Sequence, residues 1–169
     1  GGALEAAGVQ VTGRPLVFMS YASEDVDRVS ALRDVLQRRG ITVWHDKQNL
    51  RAGQNWDDQI ARIIGAADYV VFVQTDRMDN RDRQRQRGVY NRELSRAIER
   101  MTDLPFGTTF LIHVTLGACQ SRPEPELNRV HRIAVDTEAG IEQLARAILD
   151  SYRESTAGAH GTTAAVGVG

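Results

Sequence analysis

Short apolar runs along this chain alternate with stretches in which hydrophobic residues recur every three or four positions. Leu16-Val17-Phe18-Met19 is apolar throughout, as a strand buried on both faces reads. Val29, Leu32, Val35 and Leu36 then follow one helical face; Ser23 is placed to cap it, Glu24 and Asp25 favour the positive end of its dipole, and Gly40 ends it. Ile41–Trp44 predicts a second strand and Asp46–Asn55 a polar loop, while Trp56, Ile60, Ile63 and Ile64 mark a second helix. Tyr69–Val73 is strongly β-prone and predicts the central strand. Two further strands are expected at Phe110–Val114 and Arg132–Val135, and Ile141, Leu144, Ala145, Ile148, Leu149 and Tyr152 outline a last amphipathic helix.

Between the third and fourth strands lie a charged stretch and a helix. Asp76–Arg87 alternates Arg77, Arg81, Arg83, Arg85 and Arg87 with Asp76, Asp79 and Asp82. This pattern reads as a solvated loop or short helix, with a phosphate-facing rim or a seam between domains as the functional alternative. The helix after it carries an apolar stripe of Tyr90, Leu94, Ala97, Ile98 and Met101. At about 100° per residue, Glu93 falls roughly 80° from the centre of that stripe, which places a carboxylate at the rim of the buried face.

Five apolar strands alternating with helices imply an α/β fold with a parallel sheet covered on both faces, in the flavodoxin-like order 2-1-3-4-5. Ligands on such sheets sit at the carboxyl ends of the strands, near the switch between strands one and three. The loops to search are therefore Ser20–Asp25, Asp46–Asn55 and Thr75–Gly88, and Glu93 follows the third of them.

Length and composition narrow the reading. A chain of 169 residues supports one domain with a real core. Residues 1–13 and 156–169 are small and weakly patterned and read as flexible ends around a folded unit at 14–155. A chain beginning at Gly1 is expected to be processed, or excised from something longer. The net charge of −1 argues against a general nucleic-acid binder. A single cysteine, Cys119, excludes an internal disulfide and a cysteine metal cluster, so a reduced, cytoplasmic setting is expected. His45, His113 and His131 lack ligand-like spacing, and no metal site is expected. No apolar run approaches the ~20 residues that cross a membrane, and no signal peptide is visible.

Three segments carry a resemblance. Phe18-Met19-Ser20-Tyr21-Ala22-Ser23-Glu24-Asp25 resembles the first signature box of Toll/interleukin-1 receptor (TIR) domains. Val43-Trp44-His45-Asp46, with Leu50, Gly53, Trp56 and Ile60, resembles the family's second strand, its BB loop and the helix after it. Arg87–Leu94 resembles the helix that carries the family's catalytic glutamate. The three stand in family order with compatible spacing, in the style of bacterial TIR domains.

The resemblance implies a NAD⁺ glycohydrolase or cyclase that breaks the bond between nicotinamide and ribose. It further implies activation by assembly with other TIR domains under a sensor domain or partner chain, and a place in antiphage defence. NAD⁺ would be the substrate, with no resident cofactor. Glu93 matches the catalytic glutamate. Tyr21 matches an aromatic position that packs against the nucleotide, Asp46 an acidic position opening the loop after strand two, and Arg87 a basic position for the pyrophosphate. Some active relatives carry Trp four residues before the glutamate. Here that position is Val89, so Tyr90 or Tyr21 would supply the stacking ring. The competing reading is a non-catalytic adaptor that makes TIR–TIR contacts only. A phosphoacceptor domain on the same fold is disfavoured, because Val73-Gln74-Thr75 puts no Asp at the tip of strand three.

Overall fold

Each apolar run becomes a parallel strand. The structure, a computed structural model, describes residues 13–44, 56–84 and 89–168. The strands are β1 (Leu16–Ser20), β2 (Thr42–Trp44), β3 (Tyr69–Thr75), β4 (Leu111–Leu116) and β5 (Arg132–Ala134), and they form one sheet in the order β2-β1-β3-β4-β5. All four pairings are parallel, as the alternation with helices requires.

Among the described residues five α-helices flank them: α1 (Val26–Arg38), α2 (Trp56–Ala66), α3 (Asp76–Gln84), α4 (Val89–Thr102) and, after the last strand, α5 (Glu138–Val168). One face of the sheet presents Val17, Met19, Val71, Val73, Ile112 and Val114 to Val29, Leu32 and Leu36 of α1 and to Leu144, Ala145 and Ile148 of α5. The other presents Phe18, Val70, Phe72 and Leu111 to Ile60 and Ile64 of α2, Met78 of α3, and Leu94 and Ala97 of α4. Because successive strand residues point to opposite sides, two separate cores follow from one sheet.

The register of β1 is set at its beginning. The Leu16 amide donates to Asp68 Oδ2 at 2.7 Å, and the Asp68 amide donates to the Leu16 carbonyl at 2.8 Å. From there Val17 pairs with Tyr69 and Ser20 with Phe72. At the far face, the Tyr69 hydroxyl donates to Ser151 Oγ at 3.0 Å and fastens the central strand to α5.

Helix ends are capped only partly where the sequence places the caps. Gly40 ends α1 as expected: at φ +86° it closes the helix with Gly40 N–H to Gln37 O and Ile41 N–H to Leu36 O, both 3.1 Å. Ser23 does not cap that helix. It opens a 3₁₀ turn over Ser23–Asp25, and its hydroxyl donates to Glu24 Oε1 instead. Side-chain capping falls to Thr75, whose Oγ1 accepts from the Met78 amide at 2.9 Å at the start of α3. The charged stretch after strand three is thus helical through Gln84, and Met78 and Asp79 within it are buried.

The last helix runs on to Val168, through the stretch whose composition reads as a flexible end. Alanine carries the highest helix propensity and is frequent there. Near its start α5 lies so close to β5 that a Cβ on Gly140 would stand 1.9 Å from the Ala134 carbonyl oxygen. Only glycine fits that approach. Among the described residues no helix is long and apolar enough to cross a membrane.

Candidate functional site at the carboxyl edge of the sheet

Glu93 lies on α4, one turn in from the start of the helix. Its neighbours Leu94 and Ala97 are buried in the core beneath, and Ile98 and Met101 pack partly buried against it. The periodicity places Glu93 at the rim of that stripe, whereas in the fold it is wholly buried, at 0% exposure. The reason is that α4 packs against α2 as well as against β1 and β4, so the flank of the stripe is covered too.

From beneath, Ser20 meets it. Ser20 is the last residue of β1, is itself fully buried, and donates from Oγ to Glu93 Oε1 at 2.7 Å. Ser20 shares its side of β1 with Phe18 and Ala22, both in the α2–α4 core. Nothing in the apolar pattern of the first strand singled it out. The signal available was a hydroxyl closing an otherwise apolar run.

Next to Ser20, in register across β3 and β4, stand Phe72 and His113, with ring centroids 5.6 Å apart. The Arg122 guanidinium lies 5.3 Å from the centre of the Phe72 ring, a cation–π distance. Arg122 is almost buried and donates to both carboxylate oxygens of Glu124, at 3.1 and 2.9 Å. The row Ser20–Phe72–His113 floors the carboxyl end of the sheet on the side of Glu93.

Beyond Phe72 lies a hydrogen-bonded array. Gln74 Nε2 donates to Asp79 Oδ1 and to the Gln120 carbonyl, each at 2.8 Å, and the Gln120 amide donates to Asp79 Oδ2 at 2.7 Å. Two acceptors thereby fix the Gln74 nitrogen, so its oxygen faces His113 Nε2 at 2.7 Å. His113 must carry its proton on Nε2. Burial, followed by the charges of Arg132 and Arg122, holds its pKa down to about 4, so the ring is neutral at pH 7. Cys119 closes the array with weak bonds to the carbonyls of Gln74 and Leu116, and burial raises its thiol pKa above the ordinary value. Such a thiol is a poor nucleophile.

A further buried carboxylate, Asp25, sits on the loop after β1. Thr75 Oγ1 donates to its Oδ2 at 2.7 Å, while Arg28 and Arg77 each approach its Oδ1 at 3.5 Å. Arg28 also bonds Asp76, holding that exposed carboxyl below its usual pKa. Two cations and a hydroxyl make this a clamp between the loop after β1 and the start of α3.

The residues assigned from sequence are placed unevenly. Tyr21 is buried, but in the opposite core with Val17 and Met19, so it does not share the face of Glu93. Asp46 and Arg87 lie outside the described residues, as does the side chain of Tyr90. Among the described residues no cluster of His, Cys, Asp and Glu is arranged to hold a metal ion. A groove of about 700 Å³ lies at the other edge of the sheet, before β4 and β5, walled by Met101, Leu104, Phe110 and Val130. It shares no residue with the Glu93 site.

Comparison with known proteins bears on this arrangement. A family model described as "TIR domain" matches residues 17–147. A search of curated proteins gives no match. Among solved structures, the metazoan TIR-STING receptor from C. gigas, in complex with 2′,3′-cGAMP, aligns with a TM-score of 0.57 at 18% identity, over 80% of this chain and 38% of that one. The TIR domain of the Toll-related receptor TRR-2 from Hydra magnipapillata aligns with a TM-score of 0.57 at 15% identity, over 81% of this chain and 97% of that one. A prokaryotic SEFIR domain gives 0.52 at 16% identity, over 79% and 98%. The chain thus spans well under half of the receptor chain and nearly all of each isolated domain. At these identities the likeness is one of fold.

Proposed function

Because the chain belongs to the TIR domain family, we propose that it cleaves NAD⁺ between nicotinamide and ribose, with Glu93 as the catalytic carboxylate. The observation that carries this reading is Glu93 itself, buried beside the end of β1 at the switch point of the sheet and held by Ser20. Cleavage passes through an oxocarbenium-like ribose that is positive at the anomeric carbon. In this reading assembly uncovers the carboxylate to substrate, and beside the sugar it stabilises that charge and accepts hydrogen bonds from the ribose hydroxyls, as carboxylates do in glycoside hydrolysis. Nicotinamide departs as a neutral base, so no general acid is required. Water, or a nitrogen of the same nucleotide, then takes the anomeric carbon, giving ADP-ribose or a cyclic product.

In this reading Asp46, Arg87 and Tyr90 contact the substrate, and Tyr21 braces the end of β1 from behind. The catalytic unit is residues 14–155, and it works when copies assemble. Its setting is the cytoplasm of a bacterium, as the effector of an antiphage system whose sensor is another domain or chain. The second reading is a TIR adaptor without turnover. It is favoured by Val89, at the place where some active relatives carry an aromatic ring.

The test is nicotinamide release from NAD⁺ by wild type and Glu93→Ala, both clustered on a multivalent scaffold. Wild type is expected to release nicotinamide, and Glu93→Ala to be slower by about 100-fold or more. Equal release would move the site elsewhere. Silence from both, with clustering verified by light scattering, would leave the adaptor.

A further inference from the structure

We infer that Ser20 is a positioning residue for Glu93: its hydroxyl aims the carboxylate that the proposed reaction uses, and the inference rests on that reading. Ser20 closes β1 and is wholly buried, and Phe18 before it and Ala22 after it both belong to the α2–α4 core. Alanine would fill the same space with no polar atom. A buried hydroxyl costs about 1–3 kcal/mol unless it is bonded, and the bond it makes is to Glu93. At 2.7 Å the O···O separation is that of a well-formed hydroxyl hydrogen bond.

The two partners differ in stiffness. Ser20 is carried by a strand paired in register to β3, with Phe72 opposite it. Glu93 reaches its position through three side-chain torsions, the last of them broad and roughly two-fold. The helix fixes the Cα of Glu93, and the serine fixes which way its carboxylate plane turns. A carboxylate that stabilises developing charge works only when aimed at the place where charge develops. A donor on a rigid strand acting on a carboxylate of a neighbouring helix supplies that aim.

The experiment extends the clustered nicotinamide-release assay to Ser20→Ala, Ser20→Cys and Ser20→Thr in the 169-residue chain, with the melting temperature of each variant measured alongside. Ser20→Ala and Ser20→Cys are expected to lower kcat about tenfold while leaving KM within about twofold. Ser20→Thr, which keeps the hydroxyl, should recover most of the rate. A thermal cycle of Ser20→Ala, Glu93→Ala and the double variant should show a double shift smaller than the sum of the two single shifts. Unchanged kcat in a folded Ser20→Ala, an equal loss in Ser20→Thr, or additive thermal shifts would each overturn the positioning role while the glycohydrolase stands. Silence of wild type, or equal rates for wild type and Glu93→Ala, would instead overturn the reading of Glu93 and this inference with it.

Discussion

The two faces of the sheet are built to opposite rules. Toward α1 and α5 the strands offer Val17, Met19, Val71, Val73, Ile112 and Val114, apolar almost to their ends. Toward α2, α3 and α4 the same strands begin with Phe18, Val70 and Leu111 and end in Ser20, Gln74, His113 and Thr115, all buried. The first face holds the fold chiefly by excluded water, with the Tyr69–Ser151 and Thr75–Asp25 hydrogen bonds at the two ends of its central strand. The second gives up apolar area at its carboxyl end and replaces it with hydrogen bonds that each fix a neighbour's orientation. Buried polar groups of this kind stabilise little on balance but tolerate few arrangements. A face meant only for packing would not carry them, and the face that does is the one with Glu93.

Exchanging the rules between the faces should be costly in both directions, and more so on the apolar side. Val73→Asn puts an amide into the core that Val73 shares with Met19, Val71, Ile112 and Val114. It should cost about 3–5 kcal/mol of unfolding free energy, read by urea denaturation. A loss under about 1 kcal/mol would mean that face admits water. Gln74→Leu on the opposite face fits the surrounding apolar character but strips His113, Asp79 and the Gln120 carbonyl of their shared partner. A loss of about 2–3 kcal/mol is expected, and a neutral result would show the array to be dispensable.

The last effect concerns protons and is absent at neutral pH. The unfolded chain binds a proton at His113 near pH 6.5, the native protein only near pH 4. Between these values the unfolded state holds more protons, so this residue lowers stability as pH falls through that window and makes no difference above it. The slope contributed is at most about 1.4 kcal/mol per pH unit. Comparing urea midpoints of wild type and His113→Gln from pH 7 to pH 4 should show the variant losing less. Parallel curves would mean that His113 is protonated as readily in the native state as in the unfolded chain.

The strands and their order are legible in the sequence because each run is apolar and separated by helical spacing, and the parallel arrangement follows from that alternation. The division of labour between faces is not. All seven residues of β3 are buried, so its pattern has no period from which to tell sides apart. Helix α3 is left open for a different reason: among its described side chains Met78 and Asp79 are the buried ones, and its charged pattern reads as loop or short helix alike. Ser20 and Tyr21 are consecutive where β1 ends and pack to opposite sides, Ser20 against Glu93 and Tyr21 with Val17 and Met19. The family match pointed to the tyrosine, and the sheet turns the serine toward the carboxylate. Helical spacing and the strand order bring Glu93 to the sheet's carboxyl edge and the resemblance gives it a role, whereas its full burial depends on the packing of α4 against α2, which no local pattern encodes.

The hydrogen bonds between Leu16 and Asp68 lie at the opposite end of β1 from Glu93, four residues from Ser20 and so roughly 13 Å along the strand. A parallel strand that slipped by one residue would present Met19 or Tyr21 where Ser20 now stands. Asp68 therefore works as the zero mark of a ruler. It touches nothing at the carboxyl edge, yet by fixing where counting starts it decides that a hydroxyl, rather than a thioether or a phenol, arrives beneath the carboxylate.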